Sequence, residues 1–110
     1  MVKLVGMIRR RPDMPYDEFT DHWLRVHTKL AAQLPGLHRY AINFIDRRQF
    51  PNSVYDGFSE LWFHSQEALD AAFAGPVGQA IAADIPAFMS ELVRVTVDER
   101  VILAPTGAGG

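Results

Sequence analysis

The chain has 110 residues and no cysteine. This absence excludes a disulfide framework, a thiolate nucleophile and any metal site that depends on cysteine ligands. The sequence also has no run of about 18 consecutive apolar residues, and its first residues, MVKLVGMIRR, are too few and too charged for a signal peptide. We therefore expect a protein that does not insert into a membrane and that works in the cytoplasm.

The sequence also has no large excess of positive or negative charge. The formal net charge is -2, with 22% charged and 48% apolar residues, which is an ordinary globular composition with no electrostatic field that would gather nucleic acid. The length fits one domain with a single core. We expect that domain over residues 1–103, followed by a Gly-rich C-terminal tail, APTGAGG, over residues 104–110.

Cofactor and nucleophile motifs are missing too. There is no Gly-rich phosphate loop and no GxSxG turn. The histidines at positions 27, 38 and 64, even with Asp84, lack the spacing of a metal site. We therefore predict no metal and no cofactor, so that any chemistry depends on proton transfer or on a reactive substrate.

Hydrophobic periodicity and breakers predict four strands and two helical connections. The first helical connection begins near Pro15 and ends near Leu34, and Ser65 caps the second, which Gly75-Pro76 interrupts. The predicted strands cover residues 2–9, 37–45, 58–63 and 93–103. This order is typical of the ferredoxin-like split β-α-β fold, an α+β architecture in which two helices cover one face of a four-stranded antiparallel sheet.

The strands carry bulky apolar residues at both parities, as Leu4 and Val5 do in the first strand and Leu61 and Trp62 do in the third. A sheet with one solvated face would be polar at one parity. We therefore expect the second face to meet a partner, most simply a second copy in a two-fold homodimer.

One histidine lies where the first helix should be apolar. His27 follows Trp23 by four residues, and Trp23 follows Phe19 by four, so all three share a face. A hydrogen-bonded core histidine would explain this. An unpartnered buried imidazole costs about 1–3 kcal/mol, however, which favours a cavity or a polar partner. In an apolar pocket the ring would stay neutral near pH 7 and could accept a proton. We interpret His22, on the flank of the helix, as a surface residue.

Three further polar residues have two interpretations each. Tyr40 is either an amphipathic core residue or a donor to a substrate oxygen opposite His27. Glu60 is predicted to pair with Arg39 or Arg94 across the sheet. Asp84 either caps the short helix that Pro86 begins, or directs its carboxylate towards the cavity and orients His27.

Two segments resemble the EthD family. Residues 22–43, HWLRVHTKLAAQLPGLHRYAIN, are similar to its helix-to-strand signature, and residues 55–69, YDGFSELWFHSQEAL, to its second signature. Asp84 followed by Phe88 is similar to the third. The resemblance extends to about Leu103 and implies a dimeric α+β barrel. Relatives include methylmuconolactone-type isomerases, whose helix histidine and strand tyrosine fall on His27 and Tyr40. Those isomerases have a cysteine where this sequence has Leu61, a departure that affects the lactone rearrangement itself but leaves the pocket intact.

Two hypotheses for function follow. In the first, a cofactor-independent homodimeric enzyme (isomerase, lyase or monooxygenase-type oxidoreductase) acts on a hydrophobic, oxygenated small molecule. His27 is its general acid and base, with Tyr40 and Asp84 as catalytic partners. In the second, a non-catalytic accessory protein binds a hydrophobic metabolite for a partner oxygenase. Haem binding ranks last, because no histidine follows His64. In either of the first two cases we expect a substrate cavity shaped by Phe19, Trp23, Ile42, Leu61 and Phe88.

Overall fold

The computed structural model describes residues 1–106, in which one four-stranded antiparallel sheet has the order β2-β3-β1-β4. Helices pack on one side of the sheet, so the predicted α+β, ferredoxin-like class is confirmed. Both chain-terminal strands lie next to each other, with β4 at one edge and β2 at the other. The strands are β1 (Val2–Arg10), β2 (Arg39–Phe44), β3 (Gly57–Phe63) and β4 (Met89–Val97).

Two helical connections cross the sheet. The first is a continuous run of α1 (Tyr16–His22), a π-helical turn (Trp23–His27) and α2 (Thr28–Ala31). It ends earlier than the predicted Leu34, and nothing in its periodicity predicts the π-helical turn. The second is α3 (Gln66–Ala74), α4 (Pro76–Asp84) and a 3₁₀ turn (Ile85–Ala87). Ser65 caps α3, as predicted: its hydroxyl accepts a 3.1 Å hydrogen bond from the backbone N–H of Ala68.

The last strand differs from the prediction at both ends. It begins at Met89 rather than at residue 93 and ends at Val97, so residues 98–103 are not part of it. Beyond the strand, Glu99 lies against the outer face of the sheet, where it accepts hydrogen bonds from Lys3 Nζ at 2.8 Å and from the Trp62 indole at 2.9 Å. With these contacts the chain leaves its pairing with β1 after Val97. The predicted tail falls partly on residues 107–110, which lie outside the described residues.

Glu60 also differs from the prediction. Its carboxylate pairs with Lys3 Nζ at 2.7 Å and accepts a 2.9 Å hydrogen bond from the Asn43 amide. Arg94 lies opposite Gly6, whereas Glu60 lies opposite Val5. Because alternate residues of a strand point to opposite faces, Arg94 and Glu60 are on different faces and cannot meet.

The core on the helix side consists of two groups of buried side chains. One surrounds Leu4, Leu61 and Phe63, and the other surrounds Ile8 and Trp23. Over residues 1–106, no helix is long and apolar enough to cross a membrane.

Candidate functional site

A cavity lies where the two groups of core residues meet, between the helices and the inner face of the sheet. Its volume is about 40 Å³, or about 440 Å³ when the open space at its mouth is included. Most of the wall is aliphatic, with Leu4, Leu61 and Ile81 among the lining residues. The side chains that bring polar groups to this wall are Trp23, His27, Tyr40, Ser59 and Arg94. An apolar cavity with a few convergent polar groups is the usual form of a small-molecule site.

His27 lines this cavity and is only 6% exposed. Its Nδ1 lies 2.8 Å from Oδ2 of Asp84. An ionised carboxylate can only accept, so Nδ1 carries the proton and Nε2 keeps a lone pair. Burial lowers the pKa of His27 below its ordinary value of 6.5, against the opposing influence of the Asp84 hydrogen bond. The ring is therefore a neutral base at pH 7.

Asp84 holds two histidines rather than one. It is the last residue of α4, and its carboxylate oxygens lie 2.9 and 3.0 Å from His22 Nε2 as well as 2.8 Å from His27 Nδ1. It makes no capping bond to the 3₁₀ turn, so of its two predicted roles the structure shows the contact with His27. The interpretation of His22 as a surface residue is wrong, since the ring is half-buried against this carboxylate.

The π-helical turn explains why sequence periodicity missed His22. Residues five apart in a regular α-helix point about 140° away from each other, given 3.6 residues per turn. In the turn over Trp23–His27 the hydrogen bonds run from residue i to i+5, so His22 and His27 come to the same side. Only the spacing of five residues between the two histidines hinted at this arrangement.

Tyr40 and Trp23 place two donors beside each other on the cavity wall. Burial raises the pKa of Tyr40 to about 12, an effect that the nearby Trp23 indole N–H opposes. The two groups do not meet the geometry of a hydrogen bond, and within residues 1–106 Trp23 Nε1 has no hydrogen-bond partner although the residue is 0% exposed. A buried donor without an acceptor costs about 1–3 kcal/mol. The cavity wall therefore carries a donor that a ligand oxygen could satisfy.

Gly57 allows the indole to take this position. A Cβ on Gly57 would stand 2.7 Å from Cζ3 and 2.9 Å from Cη2 of Trp23, and 2.3 Å from the backbone oxygen of Asn43. Gly57, the first residue of β3, therefore allows Trp23 to pack directly against the sheet.

Of the five residues predicted to shape the cavity, two line it and three do not. Trp23 and Leu61 line it, but Phe19 and Phe88 lie behind the wall. Phe19 packs with a ring-centroid distance of 5.6 Å to Trp23, and Phe88 packs at 4.9 Å from the His27 ring and 4.8 Å from the His22 ring. Ile42 lines a shallow groove on the edge of the molecule instead. The phenylalanines therefore pack behind Trp23 and the two histidines without lining the cavity.

Two polar residues of the wall were not predicted as site residues. Ser59 and Arg94 were missed because strand parity does not say which face looks at the helices. Within residues 1–106, no group of three or more histidine, aspartate or glutamate side chains is placed to hold a metal ion.

Comparison with known proteins places this architecture in a family. Residues 11–91 match the model of the EthD domain. A protein of Rhodococcus erythropolis, described as an uncharacterized 11.0 kDa protein in the thcB-thcC intergenic region, is 34% identical over 87 residues, 77% of this chain and 84% of that protein.

Solved structures show the same fold. An EthD family protein of Bacillus halodurans superimposes with a TM-score of 0.79 at 24% identity, covering 91% of this chain and 99% of that one. A dimeric ferredoxin-like protein of unknown function from Thermobifida fusca gives 0.71 at 20% identity, with 87% and 88% covered. SnoaB of Streptomyces nogalater, a cofactor-independent oxygenase, gives 0.69 at 17% identity, with 94% and 97% covered.

Proposed function

The chain belongs to the EthD family, and on that basis we propose that it is a homodimeric, cofactor-independent enzyme that moves a proton on a hydrophobic, oxygenated small molecule. His27 is its general base and acid. The observation that carries the proposal is the orientation of this ring: Asp84 occupies Nδ1, and the imidazole lines an apolar cavity.

The proposed step is the removal of a proton from a carbon next to a carbonyl group. Nε2 of His27 takes the proton, the C–H electron pair moves into the carbonyl group, and the oxygen becomes an enolate. Tyr40 and the unpartnered Trp23 N–H are the donors for that oxygen. The raised pKa of Tyr40 keeps its hydroxyl protonated at neutral pH. His27 then returns the proton to the same or another atom.

Several reaction classes share this step. Isomerisation returns the proton elsewhere, a lyase expels a group from the enolate, and a monooxygenase-type reaction exposes the carbanion to oxygen. The last class is supported by the similarity in fold to SnoaB, a cofactor-independent oxygenase. The step itself needs only a base and hydrogen-bond donors, so we assign no cofactor.

The homodimer is supported by the outer face of the sheet. Val93, Val95 and Val97 of β4 are 40%, 51% and 36% exposed, beside the half-buried Val5 and Met7 of β1. A contiguous apolar sheet surface of this kind is typical of an interface. The structural neighbour from Thermobifida fusca is described as dimeric, and two such sheets packed face to face would form an α+β barrel.

Hydrogen–deuterium exchange tests the proton transfer without knowledge of the natural substrate. The protein is incubated in D₂O with apolar aryl ketones and 1,3-diketones such as acetophenone, 1-indanone, 2-tetralone and benzoylacetone, and loss of the α-proton signal is followed by NMR. We expect the wild type to accelerate exchange of at least one ketone. His27→Ala should lower that rate about 10²–10⁴-fold, the usual contribution of a positioned base.

The control is His64→Ala, because His64 is exposed and does not line the cavity. It should exchange the ketone at the wild-type rate. If the wild type exchanges no ketone faster than His27→Ala does, the proposed chemistry is wrong. Ligand binding without exchange would indicate the non-catalytic accessory protein instead.

A further inference from the structure

The polarity of β4 changes after Leu92, whose side chain faces inward opposite Ile8 and lines the cavity. The apolar residues Val93 and Val95 point to the outer face, whereas Arg94 and Thr96 point to the inner face, opposite Gly6 and Leu4 of β1. A strand that faces a helical layer ordinarily turns its apolar residues inward. The outward valines are accounted for by the proposed dimer, but the inward arginine is not.

Arg94 brings a positive charge to the wall of the cavity, although the residue as a whole is exposed to solvent. Its guanidinium lies 5.7 Å from the centre of the Phe73 ring, and both residues line the wall. No aspartate or glutamate lines the cavity in the part of the chain that the structure describes. Over residues 1–106, none of the salt bridges includes Arg94.

The hydroxyl group of Ser59 lies in line with Arg94 across the inner face of the sheet. Gly6 pairs with Ser59 of β3 on one side and with Arg94 of β4 on the other. A Cβ on Gly6 would stand 2.8 Å from Ser59 Oγ and 3.7 Å from Arg94 Cγ. Because Leu92 Cδ1 would stand 3.2 Å from the same Cβ, the space above Gly6 is filled by these side chains, and the glycine lets the Ser59 and Arg94 side chains approach each other on the inner face.

We propose that the ligand of this cavity is an apolar carboxylic acid whose carboxylate binds Arg94 and accepts a hydrogen bond from Ser59. Arg94 and Ser59 supply donors matched to a singly charged planar anion, whereas a phosphate dianion would call for more positive charge. The rest of the molecule lies along Leu4 and Leu61 towards His27, so the reacting carbonyl group is distinct from the carboxylate. This inference rests on the proposed function of the cavity as the ligand site and adds the class of the ligand.

Matched pairs of acids and primary amides test the inference by their affinities. The probes are phenylacetic, cinnamic and 4-oxo-4-phenylbutanoic acids, each compared with its amide by calorimetric or NMR titration. We expect the acid of at least one pair to bind about 10-fold or more tightly than its amide, the usual gain of a charge-assisted hydrogen bond. Arg94→Gln should bring that ratio near 1, Arg94→Lys should keep part of it, and Ser59→Ala should lower it less than Arg94→Gln does.

The matched control is Arg100→Gln, because Arg100 is an exposed arginine that pairs with Asp98 outside the cavity. It should keep the wild-type ratio, and thermal unfolding should show that each variant is folded. If no acid binds better than its amide, or if Arg94→Gln leaves the preference intact, the inference is overturned.

The titration is repeated in His27→Ala, so that the preference for carboxylic acids is measured independently of proton transfer. A preference for acids in this variant supports the anchor even if the exchange experiment shows no catalysis. Exchange of neutral ketones without any preference for acids would leave the proton transfer standing and remove the anchor.

Discussion

The two faces of the sheet carry opposite kinds of surface. The inner face, towards the helices, has a buried aliphatic surface interrupted by a cavity with histidine, tyrosine, serine and arginine on its wall. The outer face has exposed valines on β4 and a polar network in which Lys3 joins Glu60 and Glu99. The covered face thus has polar groups within an otherwise apolar surface, and the open face has exposed apolar side chains beside a polar network. This contrast supports the proposals of a ligand site on the inner face and of a dimer interface on the outer face.

The largest expected effect compares one residue from each face. Leu61→Ala removes a side chain that is 6% exposed on the inner face and should lower the free energy of unfolding by about 2–5 kcal/mol. Val95→Ala, 51% exposed on the outer face, should cost about 0.5 kcal/mol or less in the monomer. Urea unfolding at several protein concentrations measures both. Equal losses at the lowest concentration would contradict the distinction between the faces.

The second prediction concerns Asp84 on the inner side. Asp84→Asn should lower the rate of ketone exchange about 10–100-fold, the usual value of a hydrogen bond to a charged group. Because Asp84 raises the pKa of His27, the acid limb of the pH–rate profile should also move to lower pH, which a purely structural role would not cause. Asp21→Asn is the control, since Asp21 pairs with Arg25 on the exposed side of the first helical run. An unchanged acid limb in Asp84→Asn would refute the proposed orienting role.

The third prediction concerns association through the outer face. Val95→Lys should raise the dissociation constant of the dimer about tenfold or more, because it places a charge in an apolar interface. Sedimentation equilibrium measures the constant, with Val101→Lys as control, since Val101 is 67% exposed and lies outside the sheet. A wild type that is monomeric at all concentrations would rule out the proposed interface.

The smallest expected effect is on stability against pH. The folded protein holds the pKa of His27 below 6.5, so the unfolded chain binds more protons between that lowered pKa and 6.5. Stability from this group is fully present above pH 6.5 and is lost as pH falls through this window. Thermal unfolding from pH 7.5 down to about pH 5 should show the loss, and His27→Gln should reduce its slope. The same slope in both proteins would show that His27 is not the group responsible.

The sequence predicted the fold well because strand parity and breakers report local burial. The ends of the strands were less predictable. The alternation of residues 93–97 led to a predicted strand that continues to residue 103, but Glu99 instead contacts Lys3 and Trp62, which are distant in the chain. In the site, the helical face that carries His27 could be read from its spacing with Trp23. The inward position of His22 could not be predicted, because it depends on a π-helical turn that hydrophobic periodicity does not reveal.

Arg94 shows a second limit of sequence reasoning. The alternation of β4 puts Arg94 on one face of the strand and the valines on the other, but which of the two faces meets the helices depends on packing. The valines do not identify the inner face, because an interface surface and a core surface can have the same apolar composition.

The most direct test of the central claim is the tautomer and pKa of His27, measured by ¹⁵N NMR of histidine-labelled protein across a pH titration. We predict a neutral ring with the proton on Nδ1 and a pKa below 6.5. His27→Gln identifies the signal by its loss. A proton on Nε2 at neutral pH would contradict this assignment, because Nε2 could then not accept a proton from the ligand, and a pKa at or above 6.5 would contradict the lowering of that pKa by burial.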